Sequence, residues 1–310
     1  MPRPQRLDAL ILGGGMAGLS AALTLRGFGL DVTVIEEGRQ PGGQLHEVHA
    51  RILDYPLAYG LEGAAFAGRL LEDARAAGLS VLVGAPITAI SARGRWAARE
   101  GERIHARALL LAMGLRRRAL EVPGERELLG RGISHSANRD RDLYAGRPVA
   151  VVGGGTAAVE DALLCADVGS EVTLIHRSGR FRARSDFLAR ARQHPLIRIV
   201  PNAEVLRVLG EERLEEVVYQ AKGARSPRHL AVAGLFVRVG WDPRTDLLRG
   251  QVALDREGYV KAGVGGGTSV PGVYAAGDVC SPRCPSLANA AGQGAAAGWE
   301  IVRYVGRLPR

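Results

Sequence analysis

Short apolar runs alternate along this chain with longer stretches in which apolar residues recur at helical spacing. Ala9–Leu12 and Val149–Val152 are two such runs, and each ends in three consecutive glycines. Beyond each glycine cluster the pattern reads as a helix, and beyond that as a second apolar run, Val32–Ile35 in the first case and Val172–Ile175 in the second. Further along, Phe66–Arg75 has helical periodicity and stops before Gly78, and a stretch from about Ser286 through Tyr304 reads as another helix. Between them, Thr268–Asp278 reads as a late strand ending in Gly-Asp. Strands alternating with helices predict an α/β protein built on parallel sheets.

The glycine clusters add chemistry to this pattern. Gly13-Gly14-Gly15-Met16-Ala17-Gly18 and Gly153-Gly154-Gly155-Thr156-Ala157-Ala158 lie 140 positions apart and are the same strand–turn–helix unit. Their glycines permit a tight turn and close approach of the backbone to a pyrophosphate, and the following helix presents N–H groups and a positive dipole end to the anion. Glycine-rich loops also arise for turn geometry alone, so the end of each second strand matters. It is reached 23 positions after the first glycine in both copies, at Glu36 and at His176. An acidic residue there accepts hydrogen bonds from a ribose 2′-hydroxyl, whereas His176 with Arg177 favours a 2′-phosphate. The first site therefore suits the adenosine of FAD or NAD, and the second suits NADPH. The Gly277-Asp278 ending, a pattern of flavoproteins in which the aspartate binds the ribityl chain, selects FAD for the first. A helix N-terminus after Ser286 could then face the flavin and stabilise its reduced anion.

On these segments the chain resembles, from end to end, the low-molecular-weight thioredoxin reductases and the ferredoxin-NADP reductases of the same fold. It shares Pro41-Gly42-Gly43-Gln44-Leu45, Gly114 after Leu110–Ala112, Ala233–Val237, and His176-Arg177 followed by Phe181-Arg182-Ala183. The resemblance implies two Rossmann-like three-layer (β/β/α) dinucleotide-binding domains, the NAD(P) domain inserted into the FAD domain. For FAD it implies Gly13, Gly15, Met16, Ala17, Gly18, Glu36, Glu37, Gly43, Gln44, Leu45, Asp54, Gly114, Gly277, Asp278, Leu287 and Ala288. For NADPH it implies Gly153, Gly155, Thr156, Ala157, Ala158, His176, Arg177 and Arg182; Ser178 replaces the family's second arginine, which leaves NADH open as a donor. A homodimer is implied as well.

Where the family carries its redox Cys-x-x-Cys, this chain reads Ser136-Ala137-Asn138-Arg139, followed by Asp140. Serine forms no disulfide and arginine is a permanent cation, so thioredoxin chemistry is not expected at this place. Of the three cysteines, none are two residues apart and none cluster with histidine as zinc ligands do. Cys165 reads as a small buried hydrophobe. Cys280 and Cys284 follow Gly277-Asp278 and are either a substitute redox pair or two packed or free thiols. His46 has two readings, a proton relay near the flavin or a loop histidine; Asp140 likewise protonates an acceptor or caps the turn before Tyr144.

At 310 residues the chain has room for two domains. The expected FAD domain is discontinuous, residues 1–116 and 245–310, with the NAD(P)H domain at 117–244. Few cysteines fit a cytoplasmic enzyme. Met1–Arg6 with the next apolar run superficially imitates a signal peptide, but the run ends in the glycine loop with no cleavage pattern. No apolar stretch nears the ~20 residues that span a bilayer. The net charge is +9, and nearly all its cations are arginines, with lysine only at Lys222 and Lys261. Low aromatic content argues against a nucleic-acid partner. The arginines form either a solvated basic surface or a docking face for an acidic ferredoxin or flavodoxin, with Arg116–Arg118, Arg139, Arg141 and Arg147 as its centre. The sequence thus reads as a FAD-dependent oxidoreductase fed by NADPH. Its acceptor is left open among an electron carrier, a small disulfide or quinone, and oxygen, beside a non-catalytic redox sensor.

Overall fold

The structure, a computed structural model, describes residues 6–281 and 283–306; all of Met1–Arg6 except Arg6 lies outside the described residues. The chain begins with β1 (Leu7–Leu12), α1 (Met16–Gly27), β2 (Val32–Glu36), α2 (Gly63–Ala76) and β3 (Ser80–Val83). A meander of β4 (Ile87–Ser91), β5 (Trp96–Arg99) and β6 (Glu102–Leu111) follows, and β7 (Leu115–Arg117) leads out. Next come α3 (Glu125–Leu128), β8 (Ile133–Ser134), α4 (Ala137–Asp140), β9 (Val149–Val152), α5 (Thr156–Asp167), β10 (Val172–His176) and α6 (Ser185–Gln193). Then β11 (Ile197–Pro201), β12 (Ala203–Leu209), β13 (Glu216–Ala221), β14 (Arg228–Ala231) and β15 (Gly234–Val237) complete that section. The chain returns through β16 (Trp241–Pro243), β17 (Val273–Ala275) and α7 (Leu287–Tyr304).

Two compact units result, one formed by the chain up to Arg116 and from Asp242 on, the other by Arg117–Trp241. The return junction therefore falls three residues earlier than the sequence suggested. Asp242–Arg244 go with the first unit because Arg244 N–H donates to Gly114 O at 3.1 Å and its guanidinium pairs with Glu37 at 2.7 Å.

In the first unit, parallel ladders join β3, β2, β1, β6 and β17, and the start of β6 also closes the antiparallel β4–β5–β6 meander. Along β1, Ala9 and Ile11 pack with Leu25 of α1 and Ala297, Ile301 and Val302 of α7. Leu10 and Leu12 instead join Ile90, Ala97, Leu248 and Val260 on the other face. Both faces are covered, which is why the strand reads as an unbroken apolar run. The second unit repeats the plan with the parallel order β11-β10-β9-β15-β8. Val149, Val151 and Leu174 pack on Val159 and Ala162 of α5, while Ala150, Val152 and Ile175 meet Val205, Val217 and Tyr219 of the β12–β13–β14 sheet. Each unit is a Rossmann-like three-layer β/β/α domain.

The late strand is shorter than its apolar run. Val270-Pro271-Gly272-Val273 is a turn, with Val273 N–H donating to Val270 O at 3.0 Å and Gly272 at φ +79°, the arrangement that Pro-Gly at the turn centre favours. Only Val273–Ala275 pair as strand. Among the described residues no helix is long and apolar enough to cross a membrane, and no cluster of His, Cys, Asp and Glu could hold a metal ion.

Candidate functional site

The chain leaves β1 at Leu12 and turns through Gly13–Gly15 into α1. Gly13 has φ +108°, and a Cβ on it would collide with the carbonyl oxygen of Ala112; one on Gly18 would collide with Gly13 O. Only glycine fits either position. Gly14 donates its N–H to Glu36 Oε2 at 2.8 Å, and Glu36 Oε1 accepts Gly38 N–H at 2.8 Å. Glu36 thereby pins the loop to the end of β2. A carboxylate offers roughly four lone-pair sites, so it retains capacity for a ribose hydroxyl. Gly15 caps α1 without a side chain, which leaves the first-turn N–H groups of Met16, Ala17 and Gly18 without intrahelical acceptors. Gly43 meets this helix end glycine to glycine: a Cβ on Gly43 would lie 3.1 Å from Gly15 Cα. Side chains are thus kept out of the space over the helix end, as close backbone approach to a pyrophosphate requires.

Three further segments border this loop. Gln44 Nε2 donates to Asp278 Oδ2 at 3.0 Å across 234 residues of sequence. Burial pushes the Asp278 carboxyl above its ordinary value, and the Gln44 bond opposes that shift. Gly277 has φ +80° and lies so close to α1 that a Cβ would stand 2.9 Å from Ala17 Cβ. Its N–H donates to Gln293 Oε1 of α7 at 2.9 Å. Ser286 caps α7 by accepting Asn289 N–H at 3.3 Å, with half-buried Leu287 and exposed Ala288 in its first turn. Leu45 is buried against α2, Glu37 is held by Arg244, and Asp54 is exposed. His46 Nε2 lies 2.8 Å from Pro41 O, so its ring braces the turn that carries Gly42 and Gly43.

The second unit builds the same loop with different side chains. Gly153 N–H donates to Ile175 O at 3.0 Å, as Gly13 N–H does to Ile35 O at 2.8 Å. A Cβ on Gly154 would collide with the His176 ring, so in both copies the second glycine touches the last residue of the second strand. Gly155 caps α5 without a side chain, and a Cβ there would meet nothing within 4 Å. Arg182 N–H donates to Gly154 O at 2.8 Å, and Arg184 N–H to Thr156 Oγ1 at 3.1 Å, folding the 178–184 loop against the glycines. Burial, with Arg177 and Arg182 adding repulsion, holds the His176 pKa below its ordinary value of 6.5. Arg177 and Arg182 are both exposed, with no ion pair among the described residues. Ser178 Oγ sits 3.0 Å from His176 Nε2.

Ser136 and Arg139 stand at the two ends of a locked turn. Buried Ser134 donates to Asp140 Oδ2 at 2.5 Å, Ser136 N–H donates to Ser134 Oγ at 3.0 Å, and Arg139 grips Asp140 with two bonds of 2.7 Å. The Asp140 side chain does not cap the Arg141–Tyr144 turn. Those three bonds commit it elsewhere. All three thiols are free. Burial pushes Cys165 up to about 12 and Cys280 up to about 11, while Cys284 is exposed.

A family model described as pyridine nucleotide-disulphide oxidoreductase matches residues 7–294. The chain belongs to the pyridine nucleotide-disulphide oxidoreductase family. This oxidoreductase is 35% identical over 302 residues to a thioredoxin reductase of Mycolicibacterium smegmatis, with 96% of each chain covered. It is 34% identical to the bifunctional thioredoxin reductase/thioredoxin of Mycobacterium leprae, spanning 66% of that protein's length. A 34.2 kDa protein in the rubredoxin operon of Clostridium pasteurianum matches at 29% over 99% of both chains. Lactococcus lactis thioredoxin reductase in its FR conformation has the same fold, with a TM-score of 0.84 at 27% identity over 98% of this chain and 100% of that one. The protein is a FAD-dependent oxidoreductase of the thioredoxin reductase type, in a family that uses FAD and NADPH.

Sequence reasoning missed five contributing residues. Gln293 and Asn289 lie four residues apart on one face of α7, and the spacing of two amides in a helix of alanine and glycine was the available signal. Asp161, almost fully buried in α5, pairs with Arg238 at 2.6 and 3.1 Å just beyond β15. Arg244 joins Glu37 and Gly114.

Proposed function

We propose that the oxidoreductase binds FAD in the first unit and NADPH in the second, and delivers electrons to an acidic carrier protein of the ferredoxin or flavodoxin type without an internal dithiol. FAD, when bound, supplies the hydride acceptor and the onward electron transfer. The chain supplies binding, orientation and charge. Gly13–Gly18 and Gly43 would receive the pyrophosphate, Glu36 the ribose and Asp278 the ribityl chain, with Gln44 steadying that carboxylate. Gly153–Ala158 would receive the NADPH pyrophosphate, and Arg177 and Arg182 the 2′-phosphate. A homodimer is the expected assembly, to be read by light scattering.

One observation carries the acceptor reading. At the place where the family resemblance puts the redox cysteines, Ser136 is buried and Arg139 is bound to Asp140. The remaining thiols are free and two of them are held protonated. The net charge of +9 favours an acidic partner. Some of the cations are partly neutralised, Arg116 by Asp246 and Arg139 by Asp140.

Anaerobic titration with NADPH should reduce the flavin and consume no further equivalents. In the acceptor screen, ferredoxin and flavodoxin should turn over, and their rates should fall steeply as salt brings the Debye length to about 8 Å and below. Thioredoxin turnover, or carrier reduction indifferent to salt, would overturn this reading. Small disulfides, quinones and oxygen are the remaining arms of the same screen.

A further inference from the structure

We infer that Gln293 is a positioning residue for the flavin, one that aims Asp278 by holding the left-handed Gly277 through its N–H. The inference rests on the FAD reading of the first unit and deepens it.

Gly277 is the residue on which the direction of the Asp278 side chain depends. Its φ of +80° is a conformation with no side chain to stabilise it, and its backbone lies against Ala17. Gln293 Oε1 accepts the Gly277 N–H at 2.9 Å and also lies 3.7 Å from Cys280 Sγ. The amide is itself fixed from behind, because its Nε2 donates to Asn289 Oδ1 at 3.3 Å. Asn289 Nδ2 in turn donates to Ser281 Oγ and to Cys284 O, both at 2.9 Å. Two amides one helical turn apart therefore hold both ends of the segment that begins with Gly277 and Asp278 and ends at the α7 cap. Their backbone cannot drift, since a Cβ on the next residue, Gly294, would collide with Ala17 O. Asp278 is thus set from two sides, by Gln44 at its carboxylate and by Gln293 at the peptide before it.

The test measures FAD dissociation constants of Gln293→Leu, Gln293→Glu, Asp278→Ala and the Gln293→Leu/Asp278→Ala pair, with thermal unfolding of each apoprotein. Leucine keeps the volume but leaves the Gly277 N–H unpaired. Glutamate keeps an acceptor for it. We expect Gln293→Leu to weaken FAD binding by about 10- to 100-fold, to alter the visible circular dichroism of the bound flavin, and to leave apoprotein unfolding nearly unchanged. Gln293→Glu keeps the acceptor for Gly277 N–H but loses the donor to Asn289, so it should restore part of the affinity. In the Asp278→Ala background the leucine change should add little, because the two residues act as one unit. Additive losses in the double variant, equal losses for leucine and glutamate, or affinity unchanged by leucine would each overturn the inference alone. A wild-type protein that takes up no FAD would overturn the cofactor reading and the inference with it.

Discussion

The Cys280 thiol lies 3.3 Å from the carbonyl oxygen of Gly277 and is pushed up to about 11 by burial, with the Asp278 charge adding to the shift. A thiol held protonated is a poor nucleophile, and Cys165 is more deeply buried still. Native protein treated with an aromatic disulfide reagent at pH 8 should therefore show one fast thiol per chain, lost in Cys284→Ser, and three after denaturation. Two fast thiols, or none, would contradict that assignment. In the second unit the exposed Arg177 and Arg182 are the cations available to a 2′-phosphate beside a neutral His176. Replacing both by alanine should abolish a preference for NADPH over NADH, each charge-assisted bond being worth roughly 1.5–3 kcal/mol. Equal dissociation constants for the two nucleotides in the wild type would show that Ser178 has already removed the preference. Gly13, Gly18 and Gly153 were legible at this scale because their backbone conformations or close approaches exclude any side chain. The roles of His46 and Asp140 were not legible. Each depends on a hydrogen-bond partner, Pro41 O for one and Ser134 with Arg139 for the other, which residue type does not reveal.

At the level of elements, the contact between α1 and α7 depends on where a small residue is required and where it is merely tolerated. Gly294 faces Ala17 so closely that a Cβ would strike the backbone carbonyl, which cannot give way as a flexible side chain can. Gly292, two residues earlier and exposed, has nothing within 4 Å of the same hypothetical atom. Gly294→Ala should destabilise the protein by about 1–3 kcal/mol as an overpacked contact. Gly292→Ala should stabilise it by about 0.5–1 kcal/mol through reduced backbone entropy of the unfolded chain. Urea unfolding of the two variants distinguishes them, and the same sign for both would refute the packing argument. The run of small residues from Ala288 to Gly294 was visible in the sequence, but its spacing alone did not tell the required glycine from the tolerated one. The late strand shows a similar limit. Its apolar residues run from Val270 to Ala276, yet Pro271-Gly272 make a turn and only three residues find a partner in β6.

At the scale of the whole molecule, two histidines make a contribution to the pH dependence whose sign is set by burial. Burial lowers both His135 and His176 from the ordinary 6.5, so below that pH the unfolded chain binds more protons than the folded one. Stability from these groups is complete above about pH 6.5 and declines as pH falls toward their lowered folded values. Glu160, Asp161 and Asp278, all raised by burial, act with the opposite sign at lower pH. Below pH 6.5, denaturant midpoints should therefore depend on pH differently in the wild type and in the His135→Asn/His176→Asn variant, the wild type losing more stability as pH falls; identical slopes would refute the assignment. By itself the sequence determined what local geometry and periodicity enforce. That includes two strand–glycine–helix units in equivalent register, the unbroken apolar runs of their strands, and the residue that ends each second strand. These follow from constraints within some 25 residues of chain. Only the tertiary structure decided which distant groups complete each site. Gln44 reaches Asp278 across 234 residues, Gln293 reaches back to Gly277, Arg238 finds Asp161, and Arg244 carries the return junction into the first unit. Such bonds depend on side-chain direction after packing, and a periodic pattern of apolar positions carries no record of it.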